Sequence, residues 1–342
     1  MKRIGILFGI ENSFPGALAE EINLRQVDDV TAEFVRVGAI SGTADASYAV
    51  IIDRISHLVP FYRSWLKQAA MHGTVVLNNP FWQSADDKFL NYALAAQLGI
   101  AVPPTMLLPH KEKPAGVSDQ TLRNLEFPLD WESIFATIGE HGFLKPVNGG
   151  GWRDVFEVHS RDEFFRAYDQ SSNQCMVYQK AINYEHYFRC YVVGSKRVRV
   201  MGYDPRHPQA ERYLSELPPV PKMLIHRMER DAIQLCKALG YEFNTVEFAV
   251  ANGIPYAIDF MNPVPDADAN SVGQENAQWF VEQVADLAIA RALAPSHAPR
   301  LNTAALFGTK ESSIKTAPKK KTPAKKSNPA KKKTAGPAKK KK

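Results

Sequence analysis

Residues 241–268 read YEFNTVEFAVANGIPYAIDFMNPVPDAD, and the fold turns on how this stretch is read. Two short apolar runs, TVEFAV and PYAIDFM, flank Asn252-Gly253, a dipeptide that tolerates positive φ at both turn positions and so joins twisted antiparallel strands. Each run carries one carboxylate, Glu247 in the first and Asp259 in the second, with Asn262 three residues further on. Pairing of the two strands would bring the acids toward one face. An acid in an apolar strand is costly to bury without a positive partner, and no Lys or Arg lies between Glu247 and Asp268. A bound cation is one way to supply the charge. Two carboxylates and an amide oxygen form a hard-oxygen set suited to Mg²⁺ shared with substrate phosphates. The alternative is a hairpin whose two acids simply face solvent, and spacing alone does not choose between them.

The remainder of the chain can be placed around that hairpin. At 342 residues it is long enough for two or three layered subdomains. Residues 310–342 hold 14 Lys and one acid, a local charge of +13 against +6 for the whole chain, so the body carries −7. The stretch from Thr316 to Lys342 is Lys, Ala and Pro with almost nothing to bury, and it is expected to be disordered. Clustered lysines bind polyanions by counterion release, which makes nonspecific contact with nucleic acid through residues 310–342 an expectation, beside the plainer one of a solubilising tail.

Cys175, Cys190 and Cys236 show no paired spacing, as expected of reduced thiols in a cytoplasmic protein. The N-terminal apolar run is interrupted by Glu11 and Asn12 and reads as a first strand, not as a signal peptide. No run of about 18 apolar residues suggests a membrane span.

Strand-like runs at residues 3–9, 32–37, 48–55 and 74–78 alternate with a helix start at Ser13 and a helical pattern at 57–72, which predicts a small open parallel α/β sheet. Ser13 is the candidate cap of the first helix, with Pro15 in its first turn. No G-x-G-x-x-G follows the first strand, so a dinucleotide fingerprint is not supported. Residues 84–99 predict a helix with Asp86 and Asp87 in its first turn and Phe89, Leu90, Ala93, Leu94 and Leu98 on its apolar face. Beyond a Pro-containing loop at 110–130, the strand GFLKPV (142–147) runs straight into Asn148-Gly149-Gly150-Gly151. A lysine beside glycines that let backbone N–H groups approach is a phosphate-binding arrangement in outline; three glycines alone favour a plain turn, and Lys145 beside them is what brings phosphate binding back into balance. Strands at 175–182, 183–194 and 195–205, a loop at 206–222 and an amphipathic helix around Leu224–Leu239 lead into the acidic hairpin. A last helix is expected over 272–293. His141, His159 and His186 lack metal-ligand spacing and read as structural or surface groups.

Taken in order, these motifs resemble the ATP-grasp superfamily of carboxylate-amine ligases, nearest to glutathione synthetases, D-alanine:D-alanine ligases and ribosomal-protein glutamate ligases. The resemblance covers Met1 to about Ala294 and implies an N-terminal α/β domain (1–85) and an α+β ATP-grasp domain (86–300), followed by the basic tail (301–342). Within the second, a nucleotide subdomain spans about 105–185 and a metal-binding part 186–300. It implies that Lys88, Lys145 and the loop Gly149, Gly150 and Gly151 hold phosphates. Gln179, Lys180, Ala181 and Ile182 would lie against adenine, and Glu185 would meet the ribose. Glu247, Asp259 and Asn262 would bind Mg²⁺, or Mn²⁺ in its place. The family usually places the asparagine two residues after the second acid; here it is three, so Asp266 or Asp268 is an alternative ligand. Lys180 stands where the adenine segment often has an acid.

The implied reaction uses ATP to convert a small-molecule or peptide carboxylate into an acyl phosphate, which an amine captures. Arg189 and Arg206, with Lys145, are the candidates for holding its negative charge. The other functional class open to the sequence is an ATP-binding protein without turnover, tethered to nucleic acid by its tail. A homodimer is the default expectation for assembly.

Overall fold

The computed structural model describes residues 1–82 and 87–294. The tail assigned to residues 301–342, and Ser84 and Asp86 of the predicted third helix, lie outside them.

The first layer follows from alternating apolar runs. Strands β1 (Lys2–Leu7), β2 (Val30–Phe34), β3 (Val50–Asp53) and β4 (Val75–Leu77) form a parallel sheet in the order β2-β1-β3-β4. Ile4 and Ile6 face helix α1 (Phe14–Leu24), while Leu7 and Ile51 pack with Trp65, Leu66 and Ala69 of helix α2 (Pro60–Met71) on the opposite side. A strand covered on both faces needs apolar residues throughout, which is why VIID of β3 is buried at all four positions. Both helices begin with proline in the first turn, where the missing N–H costs nothing. Ser13 does occupy the N-cap position of α1, but its side chain makes no capping hydrogen bond.

Helix α3 (Lys88–Gln97) is capped by Asp87, whose carboxylate accepts the Leu90 N–H at 2.6 Å. Its buried residues are Asn91, Tyr92 and Ala95, whereas Phe89, Leu90 and Ala93 are exposed. The expected apolar face is therefore rotated, because Tyr92 and Asn91 are drawn toward the site described below.

The second sheet is antiparallel, in the order β5-β8-β6-β7, with β5 at Thr105–Leu108, β6 at Gly142–Pro146, β7 at Phe156–Val158 and β8 at Met176–Lys180. Helices α4 (Trp131–Ile138) and α5 (Arg161–Gln170) cover one face, where Phe135, Phe164 and Tyr168 enclose Leu144 and Tyr178. Alternation along β6 then turns Phe143 and Lys145 to the other face. Three-residue β7, too short to show a periodicity, was not foreseen.

The third sheet, β10-β9-β11-β12, is also antiparallel, with β9 at His186–Val193, β10 at Arg197–Gly202, β11 at Phe243–Ala251 and β12 at Ile254–Ala257. Helix α6 (Lys222–Leu239) seals one face, its Met228, Ala232, Leu235 and Leu239 against Phe188, Cys190, Val246 and Phe248. After the single turn α7 (Ala269–Val272), helix α8 (Gln274–Leu293) lies on the opposite face. Phe280, Val281 and Val284 of α8 pack on Tyr191, Val193 and Phe243, and the same core includes Ile4, Ile6 and Phe14. Full burial of a side chain such as Phe280 contributes about 1.5–3 kcal/mol, so α8 acts as the wedge between first and third sheets. Further along that face, beyond α8, stand Arg189, Tyr187 and Glu247.

Candidate active site

The hairpin turn has the geometry its sequence asks for: Asn252 and Gly253 take φ of 52° and 71°. The register pairs Ala251 with Ile254 and Phe248 with Ala257, so a regular ladder would set Ile258 opposite Glu247 and turn Asp259 toward α6. Instead the Glu247 N–H donates to the Asp259 carbonyl at 2.6 Å, while the Ile258 N–H donates to the Glu247 carbonyl at 3.0 Å. Two residues thus oppose one, a bulge that re-aims Asp259. Buried Asn244 fixes the chain beyond it, donating to the Phe260 carbonyl at 2.7 Å and accepting the Asn262 N–H at 2.8 Å.

Glu247 is not left without a cation. Arg189 stands directly across from it on β9 and donates from Nε at 2.8 Å and Nη2 at 2.5 Å to Oε1. The Tyr187 hydroxyl donates to Oε2 at 2.6 Å. Arg189 also donates to the Tyr213 hydroxyl at 2.7 Å and lies 4.0 Å from the centre of the Tyr203 ring. The hairpin's own sequence holds no cation for Glu247, and the positive charge comes instead from a neighbouring strand 58 residues away in sequence. Burial works against the Arg189 charge, but Glu247 and the two tyrosines more than offset it, and the net pKa displacement is upward. The Tyr187 phenol is held well above its ordinary range by burial and by the adjacent Glu247 charge.

Asp259 is exposed. Among the described residues no group hydrogen-bonds its side-chain oxygens or the side-chain amide of Asn262. Asp266, by contrast, accepts from the Ser271 hydroxyl and the Asp268 N–H, and Asp268 accepts the Asn270 N–H at 3.0 Å, so both are engaged in starting α7. The Asn262 side-chain oxygen has no hydrogen-bond partner among the described residues, whereas both Asp266 oxygens and Oδ1 of Asp268 serve the start of α7.

Lys145 reaches the same place from the second sheet. Its ammonium donates to Gln179 Oε1 at 2.9 Å, and Gln179, 1% exposed, donates in turn to the Thr105 hydroxyl at 2.9 Å. The Tyr92 hydroxyl donates to the Ile258 carbonyl at 2.6 Å and lies beside Gln179, which ties α3 and the second sheet to the bulge. Burial pushes the Lys145 pKa down to about 8, with Asp259 and Glu247 pulling it up and the Lys88 charge adding to the downward push. Three neighbouring charges therefore act on Lys145 here.

Lys88, the first residue of α3, clasps the glycine loop: its ammonium donates to the Gly149 carbonyl at 2.6 Å and its N–H to the Val147 carbonyl at 3.1 Å. Gly149 and Gly151 have φ of 119° and 68°, conformations that side chains disfavour. A Cβ on Gly149, Gly150 or Gly151 would meet no atom within 4 Å, so the loop opens onto free space.

The remaining candidates border this centre. The Lys180 N–H donates to the Pro104 carbonyl at 2.9 Å and the Ala181 N–H to the His141 carbonyl at 3.2 Å, while Ile182 packs near Tyr187 and Ile258. Glu185 is exposed at the foot of β9 and accepts the Asn252 N–H at 3.1 Å, bracing the hairpin turn. Arg206 is exposed and bound through two nitrogens to Asp204, at 2.9 and 2.7 Å, with its guanidinium 4.8 Å from the Tyr184 ring centre. The structure thus gathers Lys88, Lys145, Gln179, Arg189, Glu247 and Asp259, and leaves Glu185 and Arg206 at the periphery. The sequence reading overlooked Tyr92, Tyr187 and Tyr213; the tyrosine-rich stretch NYEHYFRCY (183–191) was the available signal for Tyr187. It read His141 and His159 as structural or surface groups without metal-ligand spacing; both are exposed, and their rings stack with centroids 4.5 Å apart.

No protein-family model and no curated protein matches the sequence. Solved structures do match. D-alanine–D-alanine ligase from Bacillus anthracis, complexed with ATP, aligns over 86% of this chain and 97% of its own at 17% identity, with a TM-score of 0.60. A RimK domain ATP-grasp protein from Sphaerobacter thermophilus aligns over 83% and 98% at 16% identity, TM-score 0.59. The VanG D-Ala:D-Ser ligase from Enterococcus faecalis aligns over 85% and 99% at 14% identity, TM-score 0.61. The chain has the ATP-grasp fold.

Proposed function

We propose that this protein is an ATP- and Mg²⁺-dependent ligase that activates a substrate carboxylate as an acyl phosphate and passes it to an amine. The single observation that carries this reading is the convergence of Lys145 and the Lys88-held glycine loop with Glu247 and Asp259. Two fixed cations for phosphate oxygens stand beside two acids on the same ATP-grasp framework whose relatives include a ligase complexed with ATP. Asp259 and Asn262 supply unengaged oxygens, and Glu247 keeps lone pairs beyond those used by Arg189 and Tyr187, so the donor set fits a hard divalent ion. Bound there, Mg²⁺ would neutralise charge on the triphosphate. In the proposed reaction a carboxylate oxygen attacks the γ-phosphorus and ADP leaves; the amine then attacks the acyl carbon and phosphate leaves. Lys145 and Lys88 hold phosphate charge in place, and the glycine loop presents backbone N–H groups. Arg206, anchored on Asp204 over Tyr184, is suited to receiving substrate at the rim.

The test is ADP release across amino acids, small peptides and polyamines with Mg²⁺, with hydroxylamine to trap the acyl phosphate as a hydroxamate. Release that needs both acid and acceptor supports the proposal; binding of ATP with no acceptor-stimulated hydrolysis refutes it. The second reading, nucleotide binding without turnover, draws on Arg189, which occupies one oxygen of Glu247. Under that reading residues 310–342 would tether the protein to nucleic acid.

A further inference from the structure

The β6–β7 hairpin carries the glycine loop at one end and three metal-ligating side chains at the other. Its register pairs Gly142 with Val158 and Phe143 with Glu157, so one step further His141 lies opposite His159. Glu157, two residues before His159, shares their face. His141 Nε2 is 3.0 Å from Glu157 Oε1, and one ligand atom from each of His141, Glu157 and His159 lies within 4.8 Å of the other two. Each backbone is held by a separate support. The His141 carbonyl accepts the Ala181 N–H, and the His159 N–H donates to Glu163 at 2.8 Å beside the Ser160 cap of α5. Gly142 presses β6 onto β8 so closely that a Cβ there would lie 2.6 Å from the Gln179 carbonyl.

We propose that His141, Glu157 and His159 bind one divalent transition-metal ion of the zinc class, at a site separate from Glu247 and Asp259. Two imidazole nitrogens and one carboxylate oxygen are a borderline donor set that favours Zn²⁺ over Mg²⁺ and leaves a fourth position for water. Tetrahedral bonds of about 2.0–2.1 Å require ligand atoms about 3.3 Å apart. The His141–Glu157 pair is already within that spacing, and the side chains of His141 and Glu157 are 53% and 49% exposed, free to close the rest by rotation. The ion has a structural place as well. Edge strand β7 is joined to β6 by only three residue pairs, and coordination cross-links the two strands at the end opposite the loop that Lys88 holds. It thereby restrains the approach to the glycine loop from the hairpin base.

The experiment uses the full-length protein stripped with EDTA and kept in excess Mg²⁺ without nucleotide, so its outcome does not depend on ligase turnover. Zn²⁺ is titrated by calorimetry and Co²⁺ by visible absorption. One equivalent of Zn²⁺ is expected to bind despite Mg²⁺, with a Co²⁺ spectrum of a four- or five-coordinate nitrogen and oxygen site. His141→Ala, His159→Ala and Glu157→Gln should each weaken binding by about 100-fold or more, while Cys175→Ser leaves it unchanged. The three side chains are exposed, and unchanged circular dichroism of the metal-free variants establishes that they fold. Equal Zn²⁺ affinity in wild type and His141→Ala/His159→Ala overturns the proposal. So does absence of binding in wild type, which leaves an imidazole–carboxylate contact only, or a sulfur charge-transfer band lost in Cys175→Ser.

Discussion

Replacing Arg189 with methionine keeps most of the side-chain volume and removes its charge, leaving Glu247 in an environment where only 13% of its side chain reaches water. Two hydrogen bonds to Glu247, one to Tyr213 and the contact with the Tyr203 ring are lost together. Removing one partner of a buried ion pair costs about 3–5 kcal/mol. Because Tyr187 still donates to Glu247, the lower end, about 3 kcal/mol, is expected for Arg189→Met. With a urea m-value of about 3 kcal/mol/M, the unfolding midpoint falls by about 1 M at unchanged slope. Arg189→Met/Glu247→Met removes both charges and should recover about 2 kcal/mol of that loss, since a paired charge replaced by apolar volume is close to neutral. Urea unfolding followed by circular dichroism at pH 7 measures both variants. Mg²⁺ with ATP should raise the midpoint of Arg189→Met more than that of wild type, because Glu247 Oε1 is then free for the ion. A single variant within about 0.5 kcal/mol of wild type, or a double variant no more stable than the single, would refute the assignment of Arg189 as the internal counter-charge.

Lys145→Ala should lower ADP release by about 100-fold or more, with the unfolding midpoint largely retained, as read by a coupled ADP assay beside thermal melting. The Lys145 ammonium, with its pKa depressed to about 8, loses its proton as pH rises through that value, so the KM for ATP should increase above pH 8; Lys145→Arg removes this inflection. In stability the sign is opposite: burial penalises the charged form in full below pH 8, and the penalty is relieved as pH climbs toward the ordinary lysine range. Gly253→Ala places a Cβ at φ 71° and should cost about 1–2 kcal/mol in urea unfolding. Deleting residues 310–342 should leave ADP release intact and abolish salt-sensitive retention on a polyanion matrix.

Local order was legible wherever it was written in neighbouring residues. Asn252-Gly253 announced its turn and the apolar runs of β1 and β3 announced strands of a parallel α/β sheet, while Lys145 beside three glycines suited a phosphate-binding outline and a plain turn alike. The face of α3 was misread because Leu and Phe look more buried than Asn91 and Tyr92, and helical periodicity cannot anticipate a hydrogen bond from Tyr92 to the Ile258 carbonyl 166 residues away. Strand β7 escaped because three residues carry no measurable alternation.

The sequence by itself determined which residue types stand where strands pair and where glycine is required, since alternation, turn chemistry and composition are properties of adjacent positions. Only the tertiary structure decided that Arg189 faces Glu247, that a bulge turns Asp259 away from α6, and that His141 meets His159 across a strand pair. Each of these depends on which strand lies beside which and in what register. That choice is made by the packing of whole sheets against α6, α5 and α8, and it leaves no trace in the spacing of the residues it brings together.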